Sequence, residues 1–181
     1  MCSSDLIGER VLRKEDQRFI TGRGRYTDDI NLRGQYHAAF VRSPLAHGRI
    51  NAVDTSTAEQ AEGVLAVLTG QQLAEDGLGT LPCGWMIHSK DGSEMNQPPH
   101  PIMAHEKVNY VGEPVAVVIA ETRRQAKDAA ELVEVDYEYL DAVVDVKSAA
   151  ATATIHPEAP QNTCYQWELG DKEATDKAFA E

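Results

Sequence analysis

Polar and apolar residues alternate most regularly in VEVDYEYL, residues 133–140. Val133, Val135, Tyr137 and Tyr139 fall on one side of an extended chain and Glu134, Asp136 and Glu138 on the other, which predicts a strand with one wet face. Just upstream, Ala126, Ala129, Ala130 and Val133 follow i, i+3, i+4, i+7 spacing, the pattern of a helix with one apolar stripe. The stripe is mostly alanine, so this helix should lie close to the sheet it covers. Thr122, with Gln125 three residues on, is its expected cap. Before it, the unbroken apolar run from Val115 to Ala120 predicts a buried strand, opened by Gly112, Glu113 and Pro114.

Weaker patterns supply the remaining elements. QYHAAFVR (35–42) reads as a strand, since Tyr36, Ala38 and Phe40 are not expected all to face water, and Arg49 to Val53 as a short strand. Ser56 precedes Glu59, and Thr57 precedes Gln60, by three residues; either pair predicts a capping box, with Gly63 as the left-handed residue beyond the helix. VLAVLTG (64–70) is a buried strand ended by its glycine, QQLAEDG (71–77) one helical turn, and 107–111 a short strand.

Four stretches lack a strong period. Residues 7–33 read as an extended, turn-rich arm, and 147–163 as an Ala/Thr/Pro linker with little capacity to form a core. Residues 77–105 are rich in Gly, Pro and small polar residues, with Trp85, Met86 and Met103 as isolated anchors. So long a loop is uncommon inside a compact domain, and it is expected to pack on another domain or subunit. GDKEATDKAFAE (170–181) predicts a helix capped by Asp171. A helix this short is marginal without a surface to pack on, which points to a piece of a longer protein.

Composition narrows the class. With 42% hydrophobic and 25% charged residues in 181, the chain resembles an ordinary soluble globular protein of one domain, or one plus part of another. It has no membrane-length apolar run and no signal-peptide order at its start, so a cytoplasmic location is expected. A net charge of −12 and a pI near 4.9 disfavour a nucleic-acid partner. The early basic residues Arg10, Arg13, Lys14, Arg18, Arg23 and Arg25 read as a solvated, salt-paired segment. Cys2, Cys83 and Cys164 are odd in number and far apart, which fits reduced thiols rather than a disulfide framework, zinc site or iron–sulfur site.

Little catalytic chemistry is legible. TGRGR (21–25) lacks the third glycine of a dinucleotide fingerprint and the GK[ST] of a P-loop, and reads as a turn. The six histidines form no HExxH; only His100 and His105, on one loop, leave room for a weak metal site. Ser43 and His47 share the RSPLAHG loop without a nucleophile elbow, and loop geometry explains both. Glu113 is the best candidate for a perturbed carboxylate, which burial would raise and cations or backbone N–H groups would lower. The residues favour a structural role: Gly112 permits the turn, Pro114 begins the strand and Glu113 bonds backbone amides. On the residues alone, this is a soluble α/β-type domain without a self-contained active site.

IGERVLRKEDQRFITGRGRYTDDI (7–30), FVRSPLAHGRI (40–50), KVNYVGEPVAVVIAET (107–122) and AAELVEVDYEYL (129–140), in this order and spacing, add a resemblance. Together they are similar to the N-terminal part of the molybdopterin-binding large subunits of the xanthine dehydrogenase/aldehyde oxidase family, especially the aerobic carbon monoxide dehydrogenase large-chain type. The resemblance implies an α+β fold: an N-terminal arm (1–18), an α/β-hammerhead domain (19–141) with a small mixed sheet and two or three short helices, and a linker with the truncated start of a molybdopterin-binding domain (142–181). It implies oxidation of a small substrate with water-derived oxygen at a molybdenum–molybdopterin centre, in the cytosine dinucleotide form. [2Fe–2S] clusters and FAD would sit on small and medium partner subunits, in a homodimer of heterotrimers. The family's catalytic, cofactor-binding and metal residues match no position here, so none is expected in residues 1–181. MCSSDL (1–6) matches nothing in the family pattern, and Gly48 stands where the family often has alanine. The competing reading is a free-standing, non-catalytic interaction module with the same fold.

Overall fold

The computed structural model describes Gly8 and residues 11–180, so Cys2, Arg10 and the MCSSDL start lie outside the described residues. The chain divides into two units, residues 1–35 and 36–181. In the first, α1 (Asp16–Ile20) corrects the expectation of turns alone. Arg13 pairs with Asp16, and the Thr21 hydroxyl donates to the Gln17 carbonyl, which together hold one short helical stretch without burying any of it. Phe19 stacks on Tyr26 with ring centroids 5.2 Å apart.

The second unit runs β1 (His37–Arg42), β2 (Gly48–Asp54), α2 (Ser56–Glu59), β3 (Val64–Thr69), α3 (Gly70–Glu75), β4 (Lys107–Val108), β5 (Pro114–Ala120), α4 (Arg123–Ala130), β6 (Glu134–Tyr139) and α5 (Lys172–Ala180). Two antiparallel three-stranded sheets result, ordered β1-β5-β3 and β4-β2-β6. β5 is central in the first sheet, with Val118 opposite Ala39 of β1 and Val67 of β3. Val115 to Val118 and Ala120 are all buried, which is why this strand reads as a continuous apolar run rather than an alternation.

The alanine stripe of α4 does what its small side chains allow. Ala126 and Ala129 are buried, and Ala129 joins Ala116, Val118, Val67, Ala58 and Val133 in one core cluster. Val115 turns the other way, into a second cluster with Ala104 and Val108; Val53 and Val135 pack against both clusters and so join the two sheets. Each fully buried valine contributes about 1.5–3 kcal/mol. Thr122 caps α4 through the Gln125 amide, as expected.

Several expectations are corrected. In β1 the inward face carries Ala39 and Val41, both half-buried; Tyr36, Ala38 and Phe40 lie outward, with Tyr36 58% and Phe40 50% exposed. Both faces of this strand are apolar, and α4 packs closely over β1, which favours the smaller set; Phe40 instead lies under the Arg42 guanidinium, 5.4 Å from the ring centroid. The alternation of β6 stops short of Tyr139, which is 78% exposed. α2 has Thr55 as its N-cap rather than a Ser56 or Thr57 capping box: Asp54 takes the Ser56 amide and the Thr55 hydroxyl donates to Glu59. β4 ends at Val108, where the chain bends towards Gly112.

Gly70 does not end a structure but starts one. Thr69 and Gln72 form a reciprocal capping box, and Gly70 is the first residue of α3. A Cβ there would sit 2.1 Å from the Ala104 carbonyl oxygen, so only glycine lets α3 meet that backbone.

Candidate functional site

The GEP turn connects the loops at one end of β5. Gly112 adopts φ +90°, where glycine alone is unstrained, and donates its N–H to the Ser43 carbonyl at 2.8 Å. Ser43 returns its own N–H to the Glu113 carbonyl at 2.9 Å, and Arg42 Nη1 donates to the Gly112 carbonyl. These bonds clamp residues 42–43 to the turn from both sides and leave the Glu113 side chain facing inward.

Glu113 is only 3% exposed, and its Oε2 accepts the Asn109 N–H at 2.6 Å. Burial pushes its carboxyl above the ordinary carboxylate value; the Asn109 N–H, the His100 charge, the Tyr110 N–H and the Lys107 charge pull the other way. Among the described residues no lysine or arginine forms an ion pair with it. The turn therefore holds a buried carboxylate whose side chain bonds a backbone amide, as expected from the sequence, with acceptor capacity to spare.

Tyr110, His100 and His156 gather around this carboxylate. The Tyr110 hydroxyl lies 3.4 Å from His100 Nε2 with the rings edge to face, and burial together with the Glu113 charge raises its pKa. Burial, then the Lys107 charge, depresses His156 despite the opposing Glu158. Lys107 itself donates to the Ile155 carbonyl at 3.1 Å and so ties the 142–166 stretch to the sheets. Nothing in the sequence pattern marked Tyr110 or His156 as neighbours of Glu113. Only the clustering of ionisable residues at 100–113 was a signal, and His156 arrives from 43 positions beyond Glu113.

The other candidates do not assemble into a reactive group. The Ser43 hydroxyl is occupied by both the N–H and the carbonyl of Leu45, and His47 Nδ1 donates to the Asp141 carbonyl at 2.7 Å. TGRGR closes α1: Gly22 has φ +68° and donates to the Phe19 carbonyl. His100 and His105 belong to no cluster of three or more His, Cys, Asp or Glu among the described residues. Cys83 and Cys164 are free thiols.

The long loop is partly ordered by its own chain. Met103 is buried beside Ala104, whereas Trp85 is 78% exposed. Between them a narrow hairpin around Asp91 hydrogen-bonds the segment 163–166: Lys90 N–H to the Gln166 carbonyl and Asn96 N–H to the Cys164 carbonyl, both at 2.8 Å. Asn162, at φ 53°, folds the preceding segment by accepting the Ile155 N–H and donating to the carbonyls of Ala149 and Ala153. Asp171 caps α5 as expected, through the Ala174 amide, but α5 buries none of its residues.

Comparison with known proteins gives consistent matches. The family model described as "Aldehyde oxidase and xanthine dehydrogenase, a/b hammerhead domain" matches residues 21–141. The chain is 41% identical over 159 residues to the nicotine 6-hydroxylase large subunit of Paenarthrobacter nicotinovorans, covering 87% of this chain and 19% of that protein. It is 38% identical over 193 residues to the carbon monoxide dehydrogenase large chain of Afipia carboxidovorans, covering 96% of this chain and 22% of that one. Among solved structures, the Cu,Mo-CO dehydrogenase in its carbon monoxide reduced state superposes with a TM-score of 0.67 at 37% identity, over 96% of this chain and 22% of that chain. Quinoline 2-oxidoreductase from Pseudomonas putida 86 gives a TM-score of 0.66 at 41% identity, over 77% and 17%.

Proposed function

Because the chain belongs to the aldehyde oxidase and xanthine dehydrogenase hammerhead family, we propose that it is the N-terminal structural part of a molybdenum hydroxylase large subunit. The observation that carries this is the match of one domain, residues 21–141, to relatives of which the chain spans about a fifth. Its domains in this reading are an arm (1–18), the hammerhead (19–141), and a linker leading into the molybdopterin-binding domain (142–181).

The role of residues 1–181 is to buttress the molybdenum domain and to contact partner subunits. α5, none of whose residues is buried, and the exposed Trp167, Leu169 and Phe179 support this, since a short helix is marginal without a surface to pack on. Catalytic, cofactor-binding and metal-ligating residues lie outside this stretch.

In the complete protein the activity is oxidation of a small substrate with water-derived oxygen at a molybdenum–molybdopterin centre, in the cytosine dinucleotide form. Electrons leave to [2Fe–2S] clusters and FAD on small and medium partner subunits of a cytoplasmic homodimer of heterotrimers. No described helix is long and apolar enough to cross a membrane. The reading frame tests this: coding sequence for several hundred residues beyond Glu181, beside genes for an iron–sulfur and a flavin subunit, supports it. A stop codon after Glu181 supports the free-standing module instead.

A further inference from the structure

A cavity of about 210 Å³ lies against Glu113, walled by Asn109, Tyr110, His156 and the irregular chain of Pro98, Pro99 and His100. Two acceptors are built into it. One is the Glu113 carboxylate, which accepts the Asn109 amide and is drawn by the Tyr110 amide, whereas a carboxylate accepts about four hydrogen bonds. The other belongs to the wall residue Asn109, whose Oδ1 is buried just out of solvent reach with no hydrogen-bond partner among the described residues, so that a rotation of its side chain would present it to a guest. The sides are the Tyr110 and His100 rings and two prolines, surfaces that suit the face of a cation.

Neighbouring cations are held elsewhere. Lys107 is fixed on the Ile155 carbonyl and Arg42 on the Gly112 carbonyl, and neither lines the cavity. His100 and Lys107 act on the Glu113 carboxylate without forming an ion pair with it, and a buried carboxylate left without a direct ion pair is costly and is relieved by a proton or by an N–H-bearing cation. The net charge of −12 favours drawing a cation towards the surface. An anion would meet the carboxylate, and an apolar guest would leave both acceptors unpaired.

We propose that this cavity binds the head group of an alkylammonium or guanidinium ion, with Glu113 and Asn109 Oδ1 accepting its N–H groups and Tyr110 and His100 flanking it. The site is non-catalytic and independent of where the molybdenum centre lies, so its failure would leave the proposed function standing.

The test follows the Glu113 side-chain carboxyl resonance in the 181-residue chain, labelled with ¹³C-glutamate, during titration with methylguanidinium at constant ionic strength. Saturable binding in the millimolar range is expected, with tetramethylammonium, which has no N–H, about tenfold weaker. Glu113→Gln, followed through the Asn109 and Tyr110 amides, should abolish saturation. If that variant does not fold, Asn109→Ala, which keeps the carboxylate and its backbone partner, should weaken binding several-fold. Equal, non-saturating responses to both cations, or unchanged affinity in Glu113→Gln and Asn109→Ala, would overturn the proposal. Repeating the titration on the assembled subunits separates the two sources: a blocked site means a basic side chain fills it, and an open one means a free cation does.

Discussion

The Glu113 side chain reaches back to the amide of Asn109, 2.6 Å from Oε2, and closes the turn that Gly112 makes possible at φ +90°. The two neighbours contribute differently, one through backbone freedom and the other through a side-chain acceptor. Gly112→Val meets no clash, since the space around its Cβ is open, but it forces a β-branched residue into the left-handed region. A loss of about 2–3 kcal/mol is expected in urea unfolding. Glu113→Gln retains an acceptor for Asn109 and should cost no more than about 1 kcal/mol. In the complete subunit it should leave turnover intact; collapse of activity with the fold preserved would make Glu113 a working carboxylate.

The same carboxyl sets a pH dependence. Burial raises its pKa above the unfolded value of about 4.5. A group raised on folding stabilises fully below its unfolded pKa, and the contribution is lost as pH rises through the folded value. Wild-type stability relative to Glu113→Gln should therefore fall as pH increases from 4 through that range. A difference that stays flat, or grows with pH, would contradict the burial argument.

Gly70→Ala tests the approach of α3 to the Ala104 backbone. The added Cβ would sit 2.1 Å from a carbonyl oxygen that has no rotamer to move, so α3 or the Ala104 strand lead must shift. The expected loss is at least about 1–3 kcal/mol, read from the urea midpoint at unchanged slope.

How much of this was legible depends on where the signal lies. β5, α4 and β6 each carry their period within a few residues, so Val118, Ala129 and Val135 were placed correctly from spacing alone. β1 was not, because Ala39 and Val41 alternate with Ala38 and Phe40 and both faces are apolar; the choice belongs to α4, more than 80 residues later. The surroundings of Glu113 were half legible: the turn was, but His156 enters through the fold of the linker. The docking of the 77–105 loop on 163–166 was invisible, since backbone groups make most of it and leave no residue pattern.

That docking is directly measurable. The Lys90 and Asn96 amides should exchange slowly, and the Trp85 amide, which makes no described backbone bond, quickly. Asn162→Ala removes the side chain that ties Ile155, Ala149 and Ala153 together. It should speed exchange over residues 149–163 while leaving the β5 amides unchanged. Uniform acceleration across both would mean that the linker is part of the global core.

The most direct measurement is molybdenum and pterin content by metal analysis and fluorescence of the released pterin. The 181-residue chain, purified from a host that makes the cofactor, should carry neither above background, whereas the complete large subunit with its partners should carry about one of each per polypeptide. Stoichiometric molybdenum and pterin on the 181-residue chain alone would contradict the assignment of these residues to a supporting domain.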